Sequence, residues 1–358
     1  MLRPHLMLFL TLLSCAPKEP PPPPLPPAPI LPAPDGDFYA TGSSEPRDPL
    51  IVQAVSVGLP WQESLSGAAT ALALEQPFAP ELSNARWAAV RSGYPHPVRS
   101  LLVASVRQDN TPETLLAEIQ RLLASGDQVG LVRARSGGSD RWVALIGRPR
   151  VTIGAFQREL PLGAALALET NAEGWRLLSP SGVATSGLMS EEPILSEPGE
   201  WWLELIRQGG TVLSVPLHVD MDTPPAPVLT LPGEPTPSPT EASALAYELV
   251  NSIREAFDLP HLQLDPTLET LAGYPLELAL AGSWEKERGE ARLRAAGFVG
   301  GPVGQLTCEG RTVAVCIDTL MWSIDERAVL LNPGLRLAGI QAQVTTEGIS
   351  MVLNAASE

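Results

Sequence analysis

The stretch that decides the fold lies in the C-terminal third of the chain, where residues 244–268 read ALAYELVNSIREAFDLPHLQLDPTL. Apolar residues recur at helical spacing as far as Phe257, which predicts an amphipathic helix. Leu259 and Pro260 then form a short connection, and Asp265 followed by Pro266 is typical of the capped start of a second helix. This part of the chain should therefore begin with a helix, a brief turn and another helix.

The same stretch resembles the opening of the CAP superfamily, named for cysteine-rich secretory proteins, antigen 5 and pathogenesis-related proteins. The matching positions are Asn251, Arg254, Leu259, Pro260, Leu262, Asp265, Pro266 and Leu268. Residues 291–298 (ARLRAAGF) resemble the family's helix before its central loop, and residues 321–333 (MWSIDERAVLLNP) are similar to its signature. Residues 337–343 (LAGIQAQ) have the pattern of the strand that follows. The resemblance covers residues 245–353 and implies an α/β/α sandwich.

The departures from this family concern its cleft, in which two histidines and two acidic residues can hold a divalent metal. Pro275 or its neighbour Tyr274 stands at the place of the first histidine, and Glu326 at that of the second. Gln305 stands where an acidic residue is expected, and Arg327, which has no ligand role, is retained from the signature. The resemblance thus implies a kept scaffold without catalytic residues, metal or cofactor.

The N-terminus has the features of an export signal. Arg3 precedes the apolar run Leu6–Leu13, which is too short to span a bilayer as a helix. The following Ser14-Cys15 completes a sequence that resembles the bacterial lipobox, which predicts a signal peptide over 1–14 and a diacylglycerol on Cys15. An ordinary secretory signal is the alternative. Ala16 is not the aspartate that retains some lipoproteins in the inner membrane, which favours the outer membrane.

Two proline-rich segments divide the remainder of the chain. Eleven of the residues between Cys15 and Asp35 are proline, which predicts an extended tether over 15–49. A second proline-rich segment, 221–243, has the composition of a linker between domains. The whole layout is similar to that of multi-domain lipoproteins of the myxobacterial type.

The part between these segments should contain two domains. Helical patterns at 64–74, 83–92 and 111–125, followed by strand patterns from Gln128, predict an α+β domain over 50–147. Short strand patterns with Gly and Pro turns predict a small immunoglobulin-like β-sandwich over 148–220, with a hairpin at 208–210. Trp201 and Trp202 should point to opposite faces of one strand. The degenerate CAP domain then occupies 244–358, so the fold class is α/β.

Composition excludes some partners and supports others. The net charge of −16 argues against nucleic acid, whose binding depends on clustered Lys and Arg. Cys308 and Cys316 are the cysteines that remain after Cys15, and in an exported chain they should form a disulfide across a hairpin or a strand-to-helix turn. Buried free thiols are the alternative.

Other catalytic patterns are weak. His96, His218 and His261 lie in separate segments without a His or Cys at ligand spacing, so packing or surface roles are expected. Ser283-Trp284-Glu285-Lys286 matches the S-x-x-K pattern, but the Lys-Thr-Gly element that accompanies it is not in the sequence, where Lys18 is the other lysine. We interpret this match as a coincidence.

The sequence therefore predicts a lipid-anchored protein of the bacterial envelope whose CAP-like domain is a non-catalytic binding or structural module. Its partners would be the membrane, through the lipid anchor, and a lipid, a cell-wall glycan or another protein. The alternative is an envelope hydrolase or peptidase with an unrecognised carboxylate site, which a concave pocket with converging perturbed titratable groups would favour. A spacer or adhesion module is a third hypothesis.

Overall fold

A computed structural model of the chain describes residues 38–39, 46, 48–56, 58–74, 82–107, 110–136, 138–221, 238–280, 286–346 and 348–357. All of these residues belong to one compact unit. The predicted signal peptide, Cys15 and most of the tether lie outside the described residues, as do most of the 221–243 linker and residues 281–285. The predicted domain boundaries stay predictions.

The first part of the fold is an antiparallel sheet between helices, in the order β2-β4-β3. The helix patterns are confirmed to within a few residues. The elements are β1 (Phe38–Tyr39), α1 (Pro49–Val55), α2 (Glu63–Leu74), α3 (Leu82–Arg91), β2 (Val98–Arg107), α4 (Glu113–Leu122), β3 (Gln128–Ser136) and β4 (Ser139–Gly147).

Strand β4 explains why this sheet is covered on both faces. Its side chains alternate: Val143 and Leu145 join the cluster under α2 and α3, whereas Trp142 and Ile146 join the cluster under α1 and α4. Successive residues of a strand point to opposite faces, so two apolar faces need two helical covers.

The second part contains a five-stranded sheet in the order β6-β10-β9-β7-β8 and a short antiparallel pair of β1 and β5. The predicted hairpin is confirmed between β9 and β10, where Gln208 and Gly209 adopt φ values of 52° and 73°. The elements are β5 (Phe156–Gln157), β6 (Glu159–Leu160), β7 (Gly174–Leu178), β8 (Ala184–Leu188), β9 (Gly199–Arg207) and β10 (Gly210–Val219).

The immunoglobulin-like sandwich is not confirmed by this sheet. Residues 151–153 and 166–168, which have strand-like sequence patterns, do not form strands of this sheet. They lie near two isolated bridges, Ile153↔Thr170 and Ala165↔Ile194. Trp201 and Trp202 do point to opposite faces, yet both are buried, in different core clusters. One face of the sheet packs against the segment 151–172 and Tyr39. The other face packs against C-terminal helices. Neither face therefore needs a second sheet of a sandwich to cover it.

The C-terminal part contains a four-stranded sheet in the order β11-β13-β14-β12. Asp265 caps the second long helix as predicted, because its carboxylate accepts hydrogen bonds from the backbone N–H of Thr267 and Leu268 at 2.8 and 2.9 Å. The elements are α5 (Pro239–Ala256), β11 (Gln263–Leu264), α6 (Pro266–Leu280), α7 (Lys286–Ala295), β12 (Val303–Gly310), α8 (Val313–Met321), α9 (Ile324–Leu330), β13 (Leu337–Val344) and β14 (Ile349–Ala356).

Three layers make up this part. Along β14, Met351 and Leu353 belong to the core shared with α5, α8 and α9, whereas Val352 and Ala356 pack with residues of α6 and α7. A sheet with helices on both faces is an α/β/α arrangement, so the predicted α/β class is confirmed.

The predicted disulfide is present and joins Cys308 of β12 to Cys316 of α8, with the Cα atoms 5.3 Å apart. It closes the strand-to-helix turn that follows β12. Both residues are buried in the main core of the C-terminal part.

Replacing both cysteines with alanine should lower the free energy of unfolding by about 2–3 kcal/mol, because the closed loop is short and its chain-entropy effect is modest. Urea denaturation of the double variant C308A/C316A beside the wild-type chain measures this difference. A reductant should destabilise the wild-type chain and leave the variant unchanged. Equal stability of the two oxidised proteins would contradict a structural disulfide.

Candidate functional site

A cavity of about 350 Å³ lies where the three parts of the fold meet. Its walls come from the end of α3, from β7, β9 and β10, and from the ends of α5 and α9. Most of the wall is apolar, with a few charged and polar side chains among the lining residues. Small-molecule sites in proteins have this size and this balance of surfaces.

Three tryptophans fix the junction beside the cavity. Trp87 of α3 lies 5.9 Å from Trp202 of β9 and 4.9 Å from Trp322, measured between ring centroids. The carboxylate of Asp318 accepts hydrogen bonds from the indole N–H groups of Trp87 and Trp322, both at 3.0 Å, and from Arg86 at 3.4 Å. These contacts join α3, β9 and α8, so the cavity has a rigid floor.

Arg327 of α9 is the most heavily engaged charged residue in the wall. Its guanidinium lies 3.9 Å from the ring centroid of Trp202 and 5.2 Å from that of Phe257. It donates one hydrogen bond to the carbonyl of Met321 at 3.2 Å and forms an ion pair with Glu200. Its side chain is 2% exposed, so stacking and pairing together hold a buried charge in place.

Glu200, at the start of β9, carries the opposite charge of this pair. Burial raises the pKa of Glu200 above its usual range, although the charge and hydrogen bond of Arg327 favour the ionised form. Burial likewise lowers the pKa of Arg327. Each buried charge is thus stabilised by the other. Removing one would leave the other charge buried and unpaired, which would destabilise the fold.

His218 and Arg158 form a second polar group in the wall. The backbone N–H of His218 donates to the carbonyl of Arg158 at 2.7 Å, which places the two residues side by side. Arg158 donates from Nη1 to the carbonyl of Arg91, also at 2.7 Å. Arg158 Nε and His218 Nδ1 are buried and have no hydrogen-bond partner among the described residues. Burial, with a contribution from the charge of Arg158, lowers the pKa of His218 to about 4.

Tyr39 contributes a hydroxyl to the same wall, and that hydroxyl is occupied. It donates a hydrogen bond to the carbonyl of Pro216 at 2.8 Å. Burial raises the pKa of Tyr39 far above its usual range, so the phenol stays protonated at neutral pH. It therefore acts as a structural donor.

A second cavity of about 210 Å³ lies between α3, the loop before β2 and strand β10. His96 lines it, and burial lowers the pKa of His96 to about 4. His96 Nδ1 is also buried without a partner among the described residues. This cavity is smaller than the first one. Arg86 is its one charged lining residue, because His96 is neutral near pH 7.

The two buried histidines should make the protein lose stability as the pH falls from about 6.5 to about 4. Both pKa values are depressed in the folded state, so the unfolded chain binds protons in this window while the folded chain does not. The expected loss is on the order of 2–3 kcal/mol per histidine at pH 4. Urea denaturation across this range, for the wild-type chain and the double variant H96N/H218N, measures it.

Glu200, Glu204 and Asp318 have raised pKa values, so their contribution to stability changes with pH in the opposite direction. These groups are present in both proteins, so the difference between the two stability profiles reports the histidines. Arg158, Glu159 and Arg327 also act on His218 and are unchanged in the variant. Parallel profiles would contradict the assignment.

The structure does not bring the degenerate cleft positions together. Tyr274 is 55% exposed and lies under the guanidinium of Arg292 at 4.5 Å, and Pro275 is buried inside α6. Gln305 is buried against Gly289 of α7 and donates to Asn354 at 2.7 Å. Glu326 lies on the other face of the sheet, on α9, and accepts a hydrogen bond from Ser323.

Most residues of the cavity wall were missed by the sequence interpretation. His218 was assigned a packing or surface role, Arg158 and Glu200 carried no recognised motif, and Arg327 was noted as a survivor without a ligand role. These residues are far apart in the chain and meet through the packing of α9 against β9. The one usable signal was charge next to aromatic residues, at Glu200-Trp201-Trp202.

Among the described residues, no group of three or more His, Cys, Asp and Glu side chains is placed to share a metal ion. No described helix has both the length and the apolar character needed to cross a bilayer.

Comparison with protein-family models gave no match, and comparison with curated proteins gave none either. Among solved structures, an extracellular protein containing an SCP domain from Bacillus anthracis str. Ames matches at 13% identity, over 72% of this chain and 78% of that one, with a TM-score of 0.30. A cysteine-rich secretory protein from Staphylococcus aureus subsp. aureus Mu50 matches at 17% identity, over 46% of this chain, with a TM-score of 0.30. An outer surface protein from Borrelia burgdorferi matches at 20% identity, over 33% of this chain and 94% of that one, with a TM-score of 0.29. The chain spans 57% of the length of the Staphylococcus protein.

Proposed function

We propose that this protein is a lipid-anchored component of the bacterial cell envelope that binds an apolar small molecule without converting it. The observation that carries the proposal is the cavity of about 350 Å³ at the junction of α3, β9 and α9. In this proposal the C-terminal CAP-like part supplies one wall, and the anchor on Cys15 holds the protein at the outer membrane. The ligand is a small molecule taken from the envelope, in preference to a glycan chain or a protein.

The composition of the wall supports binding. Phe257, Ala328 and Leu331 line the cavity as partly exposed apolar side chains, and the buried Trp87, Trp202 and Leu178 lie behind them. Burying apolar area of a ligand against such a wall contributes roughly 25 cal/mol per Å² before the costs of association. The tryptophan contacts and the bond network of Asp318 keep the wall in place, which reduces the ordering cost of binding.

The positions that would carry the cleft chemistry of CAP proteins support a non-catalytic role. Gln305 is bonded to Asn354, whose amide in turn donates to the carbonyl of Leu268 at 3.0 Å, so this buried pair ties β12 and β14 to α6. Glu326 is held by Ser323, and Arg327 stacks on Trp202. Each of these side chains has a structural contact in place of an open coordination or catalytic position.

Titration of the purified full chain with 1-N-phenylnaphthylamine, an uncharged fluorophore, tests the binding function. We expect saturable binding of one probe per chain with a dissociation constant near or below about 100 µM. The variant A328F, which fills the cavity, should weaken binding by at least about tenfold. The matched control T211F places the same side chain at the second cavity and should bind as the wild type does. Absence of saturable binding, or equal loss in both variants, would contradict the proposal.

The lipid anchor has a separate test. Mass spectrometry of the protein exported by a bacterial host should find an N-terminal peptide that begins at Cys15 and carries acyl chains. The variant C15A should lack them and leave the membrane fraction. A mature N-terminus at another residue would overturn this part of the proposal.

A hydrolase or peptidase is the second candidate, because a neutral histidine and a carboxyl group share the cavity. His218 has the free nitrogen that a general base needs, and Glu200 is the nearby acid. The present bonds favour binding, since Glu200 is committed to Arg327 and Tyr39 to Pro216. Turnover of p-nitrophenyl esters or short peptides that is lost in H218N but kept in H261N would establish the enzyme instead.

A further inference from the structure

We infer that the ligand of this cavity carries a carboxylate, and that Arg158 and His218 bind the carboxylate while Phe257 and Leu331 contact the apolar body. This inference rests on the proposed binding function and adds the chemical class of the ligand. It comes from the two buried nitrogen atoms in the wall that lack partners, and from the balance of charge around them.

The charges of the wall do not cancel, because its lining residues include three arginines (Arg91, Arg158 and Arg327) and two carboxylates (Glu200 and Asp258). Arg327 is compensated by Glu200, with which it forms an ion pair. Arg158 is 7% exposed, and no ion pair joins it to an acidic residue among the described parts of the chain. Its one side-chain hydrogen bond goes to a neutral carbonyl, that of Arg91. A nearby anion stabilises a buried cation, so one negative charge on the ligand would balance Arg158.

The hydrogen-bond capacity points to the same group. Arginine has five N–H donors in a planar fork, and Arg158 Nε is buried without an acceptor. His218 Nδ1 is also buried without a partner among the described residues. The two residues are neighbours, because the backbone N–H of His218 donates to the carbonyl of Arg158 at 2.7 Å. A carboxylate offers two oxygens, one for the guanidinium and one for the imidazole N–H.

Other charged classes fit less well. A cation would meet the net positive charge of the lining residues, and a phosphate dianion would bring more negative charge than that single net charge balances. A neutral molecule without an acceptor would leave both nitrogen atoms unsatisfied, which costs about 1–3 kcal/mol for each buried group. A neutral acceptor such as an amide carbonyl would leave the charge of Arg158 uncompensated. A monocarboxylate with an aromatic or aliphatic body satisfies both the charge and the wall.

The test compares two probes of nearly equal shape, 1-naphthaleneacetate and 1-naphthaleneacetamide, by calorimetric titration of the purified full chain at pH 7. We expect the carboxylate to bind at least about tenfold more tightly than the amide. The variant R158Q should abolish this preference, because it removes the charge that distinguishes the acid from the amide. The control R107Q removes the same charge from an exposed position on β2 and should keep the preference.

The outcomes separate this inference from the function on which it rests. Equal binding of acid and amide by the wild-type chain would overturn the inference and leave the binding function intact. No binding of either probe would count against both. If R158Q does not fold, the comparison of the two probes on the wild-type chain still decides.

Discussion

Replacing Arg327 with methionine should lower the free energy of unfolding by about 3–5 kcal/mol, the range measured when one partner of a buried ion pair is removed. The side chain of Arg327 is 2% exposed and that of Glu200 12%, so the variant would leave a largely buried carboxylate without its cation. It would also remove the stacking on Trp202 and the hydrogen bond to the carbonyl of Met321. Urea denaturation followed by tryptophan fluorescence measures the loss.

A double variant distinguishes the buried charge from the lost packing. E200Q/R327M removes both charges, and its stability should recover to within about 2 kcal/mol of the wild type, because the uncompensated carboxylate is gone. A single variant R327M that loses less than about 1 kcal/mol would show that the pair is not buried as described.

Replacing Arg254 with methionine should have the second largest effect, a loss of about 3–4 kcal/mol. The guanidinium of Arg254 donates to the carbonyls of Pro260, Leu330, Asn332 and Leu335, at 2.9, 2.7, 3.2 and 3.3 Å. Arg254 is completely buried, and its partners belong to the turn after α5, the end of α9 and the segment between α9 and β13. Methionine fills a similar volume but leaves these carbonyls without their donor.

The matched control for this prediction is R294M on α7, where an arginine donates at 3.4 Å to a single exposed carbonyl, that of Gly301. It should change stability by less than about 0.5 kcal/mol. Calorimetric melting of both variants provides the comparison. Similar melting temperatures for R254M and R294M would contradict the assignment of Arg254 as the centre of a buried donor network.

The C-terminal part could be predicted from the sequence because local signals and long-range packing agree there. The Asp265-Pro266 start of α6 and the short loop between Cys308 and Cys316 each depend on residues close together in the chain. The importance of Arg254 followed from a resemblance rather than from spacing, and the structure supplies its physical reason in four carbonyl acceptors.

The middle of the chain was harder to predict because its strands are covered by different partners. Trp201 packs with the irregular segment after β4, and Trp202 packs with Trp87 and Trp322 from distant parts of the chain. Two neighbouring tryptophans on a strand do indicate two buried faces. They do not indicate whether a sheet, a helix or a loop covers each face, so a sandwich is predicted where the structure has one five-stranded sheet and the short β1–β5 pair.

The candidate cavity could not be predicted from local patterns. Arg158 lies in a short connection between β5 and β6, His218 near the end of β10 and Arg327 on α9. Each looks ordinary in its own segment, since a single charged residue is usually solvated. Their significance comes from burial beside one another in the folded chain, which leaves Arg158 Nε and His218 Nδ1 without partners.

The central claim is that the cavity between α3, β9 and α9 is a ligand-binding site, and a crystal structure of the full chain with 1-naphthaleneacetate tests it most directly. The account predicts the naphthalene ring against Phe257 and Leu331, with the carboxylate oxygens about 2.7–3.2 Å from Arg158 and His218. A complex in which the ring lies outside this cavity, or in which the cavity is closed by the side chains of its own wall, would contradict the claim.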